Sequence, residues 1–258
     1  MNELYIPKLF LYIFTFILGA VIGSFLNVLI YRIPRDISIV KPSSFCPHCN
    51  HKLAWYDLVP IISYMHLRGR CRYCKERISP QYIIVEVLTG ISFLIAMWKL
   101  NLSIQFLKIA IFASLLIVIG AIDTIDGVVP DLIVFPGIAI GIIFSLIEGK
   151  QSFLDALLGM GFMAAFFLLI ILVSKGGMGE GDLTFGLLLG TFLGFRLSLV
   201  TLLIAFVGGA IISLLAVLLF KKGMKDRIPF APFLSLGGFV AAIWGINIIQ
   251  TYLNLFFF

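Results

Sequence analysis

Residues 104–123 read IQFLKIAIFASLLIVIGAID, an apolar run that carries charge only at Lys108 until Asp123 closes it. A carboxylate in the hydrocarbon costs about 2.5–3.5 kcal/mol on insertion scales, so an acid kept there points to function. A second acid, Asp182, opens another apolar run directly after the glycine-rich turn Gly176-Gly-Met-Gly-Glu-Gly181. Outward from these two positions the chain stays apolar. It is 258 residues long, 61% hydrophobic, with 25 phenylalanines. Soluble domains hold roughly 45–50% apolar residues, so this composition predicts an integral membrane protein.

A membrane helix needs about 20 residues. Eight stretches approach that length: 9–31, 81–98, 104–122, 130–147, 153–173, 182–195, 198–220 and 233–256. The expected fold is therefore all-α and polytopic, with about eight transmembrane helices in one bundle. The sixth stretch is short and is expected to sit off-centre or sunk in the bundle. The first is too long for a signal-peptide core and lacks an A-x-A cleavage site, so it is expected to stay as an anchor.

Lys and Arg set the orientation. With the N-terminus outside, the inside loops hold Arg32, Arg35, Lys41, Lys52, Arg68, Arg70, Arg72, Lys75, Arg77, Lys175, Lys221, Lys222, Lys225 and Arg227. Only Lys8, Lys99, Lys108, Lys150 and Arg196 fall outside. This asymmetry predicts both termini outside and both aspartates near the cytoplasmic face. The net charge of +6 then reflects topology and contact with the anionic inner leaflet. Nucleic-acid binding is not expected, because the basic residues flank spans and lack interleaved aromatics.

Between the first and second helices lies the only long polar segment, 32–80, and it holds all four cysteines and all three histidines. The expected domains are a first helix (1–31), this cytoplasmic segment (32–80) and a helical bundle (81–258). Cys46-Pro-His-Cys49 and Cys71-Arg-Tyr-Cys74 form two C-x-x-C knuckles, the pattern of a closed four-thiolate zinc site. Disulfides are the rival reading, but the cytosol is reducing. His48, His51 and His66 are read as solvated loop residues, and a saturated site of this kind is structural.

Small residues recur at four-residue spacing at Gly19, Gly23 and Asn27, at Gly137, Gly141 and Ser145, and at Gly186, Gly190 and Gly194. Such stripes let helix backbones approach in lipid. Asp182 continues the third stripe, so it should face a helix. Within the first acidic cluster, Asp131 after Pro130 reads as a helix cap and Asp126 beside Gly127 as a solvated turn residue. Asp123 and Asp182 remain as the candidate catalytic pair. Gly179 and Gly181 would let an extended substrate strand lie against the turn. Two carboxylates sharing a proton provide an acid and a base at one pH.

At these residues the chain resembles the type IV prepilin peptidases, membrane aspartic proteases of the G-x-G-D class. The resemblance runs from Gly23-Ser-Phe-Leu-Asn27 through Tyr31-Arg32-Ile-Pro34, the two C-x-x-C pairs, Tyr56-Asp57, Arg68-Gly-Arg70, Ser79-Pro-Gln-Tyr82 and Glu86. It continues through Asp123, Pro130-Asp131 and Gly179-Glu-Gly-Asp182 to Pro229-Phe-Ala-Pro-Phe233, where Ala231 departs from the more frequent glycine. The resemblance implies catalytic Asp123 and Asp182, and zinc on Cys46, Cys49, Cys71 and Cys74. It implies prepilin or pseudopilin substrates whose basic leader is cut at the cytoplasmic face of the bacterial inner membrane. It further implies N-methylation with S-adenosylmethionine, for which Glu86 is a candidate residue. A proton-coupled transporter is the alternative that also uses intramembrane acids, and a non-enzymatic scaffold is a second. The first does not account for the cysteine knuckles, and the second does not account for the two aspartates.

Overall fold

In a lipid environment a spanning segment must satisfy its own backbone, so the long apolar runs have one outcome, helix. A computed structural model describes residues 7–174, 177–220 and 229–256. Gly176 and the basic residues Lys175, Lys221, Lys222, Lys225 and Arg227 lie outside the described residues. The helices are α1 (Lys8–Arg32), the short α2 (Ile62–His66), α3 (Gln81–Leu100), α4 (Ile104–Asp126), α5 (Asp131–Glu148), α6 (Lys150–Ser174), α7 (Glu180–Phe220) and α8 (Ala231–Phe256). Among the described residues seven helices are long and apolar enough to cross a membrane. The only β pairings there are two isolated bridges, Phe45 with Lys52 and Arg70 with Arg77. The protein is an all-α, multi-pass membrane protein.

Seven helices and eight expected spans are reconciled at one residue. Inside the 41-residue α7, Gly194 leaves helical geometry with φ 69° and ψ −176°. A straight helix would separate Gly186 from Phe206 by about 30 Å at 1.5 Å per residue. Yet Phe167 of α6 abuts Gly186, while its neighbour Phe166 packs edge-on against Phe206 at 5.7 Å. Adjacent residues reach both positions only if the chain doubles back between them. α7 is therefore a helical hairpin, with a short first arm, as the sequence led us to expect. Asp155 of α6 fastens the turn by accepting the Phe195 N–H through Oδ1 at 3.2 Å.

The chain forms two compact units, Met1–Val118 and Ile119–Phe258. In the first, α1 runs antiparallel to α3 in a register set by the Gly19 stripe. A Cβ on Gly19 would lie 2.9 Å from Gly90 Cα, and one on Gly23 would lie 2.8 Å from Glu86 Cα. One turn further, Asn27 Nδ2 donates to the Tyr82 carbonyl at 3.0 Å. In the second unit α7 packs against α5, α6 and α8. A close backbone approach joins Gly159 of α6 to Gly190, where a built Cβ would meet the facing carbonyl at 2.5 Å. The stripes read from the sequence are thus the helix seams.

Candidate active site

Asp123 occupies the last turn of α4 and is 9% exposed. The helix ends because Gly127 adopts φ 68° and returns its N–H to the Asp123 carbonyl at 3.0 Å, a left-handed glycine stop. The Asp123 side chain is held from another element. Its Oδ2 accepts the backbone N–H of Ala231 at 3.0 Å. Ala231 is the first residue of α8, so that N–H has no partner within its own helix. The seam continues one turn back, where Gly120 lies against Ser235 and Pro232 of α8.

Asp182 lies in the first turn of α7 and is half-buried. Its N–H donates to the Gly179 carbonyl at 3.2 Å, which folds the glycine turn under the carboxylate. The two glycines of that turn differ. A Cβ on Gly181 would lie 2.8 Å from Val129 Cβ, whereas one on Gly179 would find nothing nearer than Asp182 Oδ2 at 3.9 Å. Gly181 lets the turn close on the chain just beyond Asp123, and Gly179 leaves bare main chain beside the Asp182 carboxylate. The two aspartates are near enough that the charge of Asp123 acts on Asp182. All these contacts fall within the second unit. Glu180 and Asp126 are exposed. Asp131 differs from its expected role as a cap. It is the first residue of α5, and Pro130 stands at the cap position with no side-chain bond.

In the first unit the four cysteine sulfurs lie within 4.8 Å of one another. Cys46 Sγ and Cys74 Sγ are 3.9 Å apart. That is too long for a disulfide and close to the edge of a tetrahedron with metal–sulfur bonds of about 2.3 Å. The donor set fits a metal ion. Two matching turns present it. Cys46 receives the Asn50 N–H on its carbonyl and donates its own N–H to the His51 carbonyl, and Cys71 repeats this with Lys75 and Glu76. Asn50 and Lys75 both take positive φ. The knuckles are one turn used twice, a repeat too short to register as a sequence period. Burial raises the Cys71 thiol, but the N–H groups of Cys74 and Tyr73 and the neighbouring thiols bring it down to about 7. Beside the knuckles, Asp57 takes Arg72 Nε at 2.7 Å and the Tyr73 hydroxyl at 3.1 Å.

Glu86 is buried on α3, and its Oε2 accepts the Ile61 N–H at 2.7 Å. Sequence reasoning gave no part to Ile61 or to the Ala231 N–H. Both contacts use main-chain donors, which have no residue signature. Asn27 stands out in the sequence as a member of a small-residue stripe and of the Gly23–Asn27 motif, neither of which signals its hydrogen bond to Tyr82.

Residues 17–100 match the bacterial peptidase A24 N-terminal domain, and residues 110–214 match the type IV leader peptidase family. The chain is 37% identical over 211 residues to the prepilin leader peptidase/N-methyltransferase of Myxococcus xanthus, covering 80% of this chain and 63% of that relative's length. It is 30% identical over 266 residues to the protein of the same name from Pseudomonas putida, covering 93% and 92%. With that of Bacillus subtilis it shares 30% over 240 residues, covering 93% and 97%. No solved structure matches.

Proposed function

The chain belongs to the type IV leader peptidase family, and we propose that it is a membrane-embedded aspartyl endopeptidase that cuts the basic leader from type IV prepilins or pseudopilins and then N-methylates the new terminus. The support for this reading is that Asp123 and Asp182 stand on helix ends of one unit, where the turn before Asp182 closes on Val129, just beyond the end of the Asp123 helix. Two carboxylates at short range hold one proton between them. The ionised group takes a proton from water, the water oxygen attacks the scissile carbonyl, and the protonated group polarises that carbonyl. Collapse of the intermediate breaks the C–N bond, and the proton passes to the amine that becomes the new terminus. The substrate lies extended along Gly179 and Gly181.

The four thiolates of Cys46, Cys49, Cys71 and Cys74 hold structural zinc, with no open position for chemistry. S-adenosylmethionine supplies an electrophilic methyl group when bound, and Glu86 belongs to that activity. The enzyme works in the bacterial cytoplasmic membrane with both termini outside. Its metal-binding segment 32–80 lies in the cytosol against anionic lipid, between the first helix (1–31) and the protease bundle (81–258).

The test is incubation of the purified protein with a prepilin in detergent. Leader removal appears as a mass loss, and Asp123→Asn or Asp182→Asn lowers its rate by about 10²–10⁴-fold. Asp126→Asn retains it. Near-normal turnover by a folded Asp123→Asn enzyme overturns the assignment.

A further inference from the structure

We propose that Asn27 and Glu86 form the amine site of the methyl-transfer activity, receiving the α-amino group that leader cleavage exposes. The inference rests on the methyltransferase reading above and names its acceptor site.

The two side chains lie where α1 and α3 interlock, and they are 2% and 6% exposed. Asn27 spends both amide hydrogens on carbonyls, Gly23 at 3.3 Å and Tyr82 at 3.0 Å. Its Oδ1 is left buried with no partner among the described residues. A buried acceptor in that state is costly and marks a place for a donor. Glu86 stands one turn beyond Tyr82 on α3, and helical side chains lean toward the N-terminus of their helix. Its carboxylate therefore leans over the turn whose carbonyl holds Asn27. The Ser24 side chain is within hydrogen-bonding reach of that carboxylate.

The one buried side-chain atom without a partner among the described residues is an acceptor, the Asn27 amide oxygen, and the charged group beside it is a carboxylate. The ligand chemistry that matches is a compact cation with several N–H donors, a primary ammonium. A third observation concerns the wall of the site. Ile61, β-branched, is held at φ 62° and ψ −52°, and Ile62 N–H bonds back to the Pro60 carbonyl at 2.5 Å. That tight turn of positive φ is rare and strained. Glu86 fixes it through the Ile61 N–H at 2.7 Å. The strain is kept where it holds one carboxylate oxygen in place.

In the transfer, the ammonium first yields a proton to Glu86. The freed nitrogen lone pair then forms the N–C bond to the methyl group as the C–S bond of the sulfonium donor breaks. The sulfonium becomes a neutral thioether, the product leaves as a secondary ammonium, and Glu86 releases its proton to solvent. Asn27 Oδ1 holds a remaining N–H and orients the lone pair.

The experiment uses full-length protein in detergent and two peptides of the mature pilin N-terminus, one with a free α-amine and one N-acetylated. With no methyl donor present, wild type binds the free amine at least about tenfold more tightly. Glu86→Gln keeps an acceptor for the Ile61 N–H, and Asn27→Leu keeps the volume. Each brings the ratio close to one while leader cleavage continues. With S-adenosylmethionine added, Glu86→Gln yields cleaved pilin lacking the mass of one methylene. Equal binding of the two peptides by wild type, as expected if Asn27 Oδ1 merely holds a water, overturns the proposal. So does a Glu86→Gln enzyme that methylates like wild type. A wild type that prefers the free amine yet never methylates instead overturns the methyltransferase reading and leaves an amine site.

Discussion

Asp57 shows how a single carboxylate is used as structure. Its side chain is 3% exposed and paired with Arg72, itself 36% exposed. Burial pushes its pKa up, but the bonds from Arg72, Tyr73 and the Ala54 N–H outweigh this and hold it below the usual carboxylate range. A lowered folded-state pKa means stability that is present above the unfolded value, near 3.9, and lost as pH falls through the folded value. Asp57→Asn should therefore loosen residues 32–80 at neutral pH by about 1 kcal/mol, discounted for the exposure of Arg72. Limited proteolysis of both proteins across pH checks the sign. The difference should shrink toward zero as pH drops below the carboxylate range, and a constant difference would show that Asp57 acts through packing. At this scale the site was largely legible. Asp123 and Asp182 stand out because apolar runs carry so few acids. Ala231 does not, because what it offers is an amide hydrogen common to almost every residue.

Helix ends do the positioning among the elements. α4 stops at Gly127, α7 begins at Glu180, and α8 begins at Ala231, whose N–H donates to Asp123 Oδ2. The ends of α4 and α7 were readable from glycine and charge. The hairpin within α7 was readable as two runs, although only the contacts of Phe166 and Phe167 show that Gly194 reverses the chain. The meeting of α8 with α4 was not readable, since no pattern in one helix names its distant partner. It yields a test with a built-in control. Proline is tolerated at the first helical position, so Ala231→Pro removes the donor while α8 can still form. Ala231→Gly keeps the donor. A bond to a charged group contributes about 1.5–3 kcal/mol, so Ala231→Pro should slow leader cleavage by roughly 10–150-fold, with Ala231→Gly close to wild type. A folded Ala231→Pro enzyme of full activity would remove Ala231 from the positioning of Asp123.

Across the molecule, the two kinds of segment are held together by different physics. The helical runs bury Phe112, Phe167, Phe185 and Leu188 at 0% exposure and close on glycine seams, so packing holds them. Residues 33–80 have no such core. Besides the Asp57 carboxylate, the side chains buried there are those of Cys46 and Cys71, at 5% and 4% exposure, and around them stand exposed Trp55, Ile62 and Met65. A segment of this size without apolar burial falls below what a core can stabilise, and a metal is the usual substitute. Apparent binding free energies of about 10–16 kcal/mol for structural zinc exceed anything else available to it. Elemental analysis of purified protein should therefore find about one zinc per chain. Cys71→Ser, or chelation of wild type, should expose bonds within 32–80 to protease while the helical spans stay resistant and keep their helical circular dichroism. The arms separate the causes. Zinc absent from wild type with the segment still resistant would mean that hydrogen bonds such as Asp57 to Arg72 suffice. Full zinc in Cys71→Ser would mean that three thiolates and a neighbouring donor hold the ion, and His51, stacked on Tyr73 with ring centroids 3.7 Å apart, would be the first residue to substitute next.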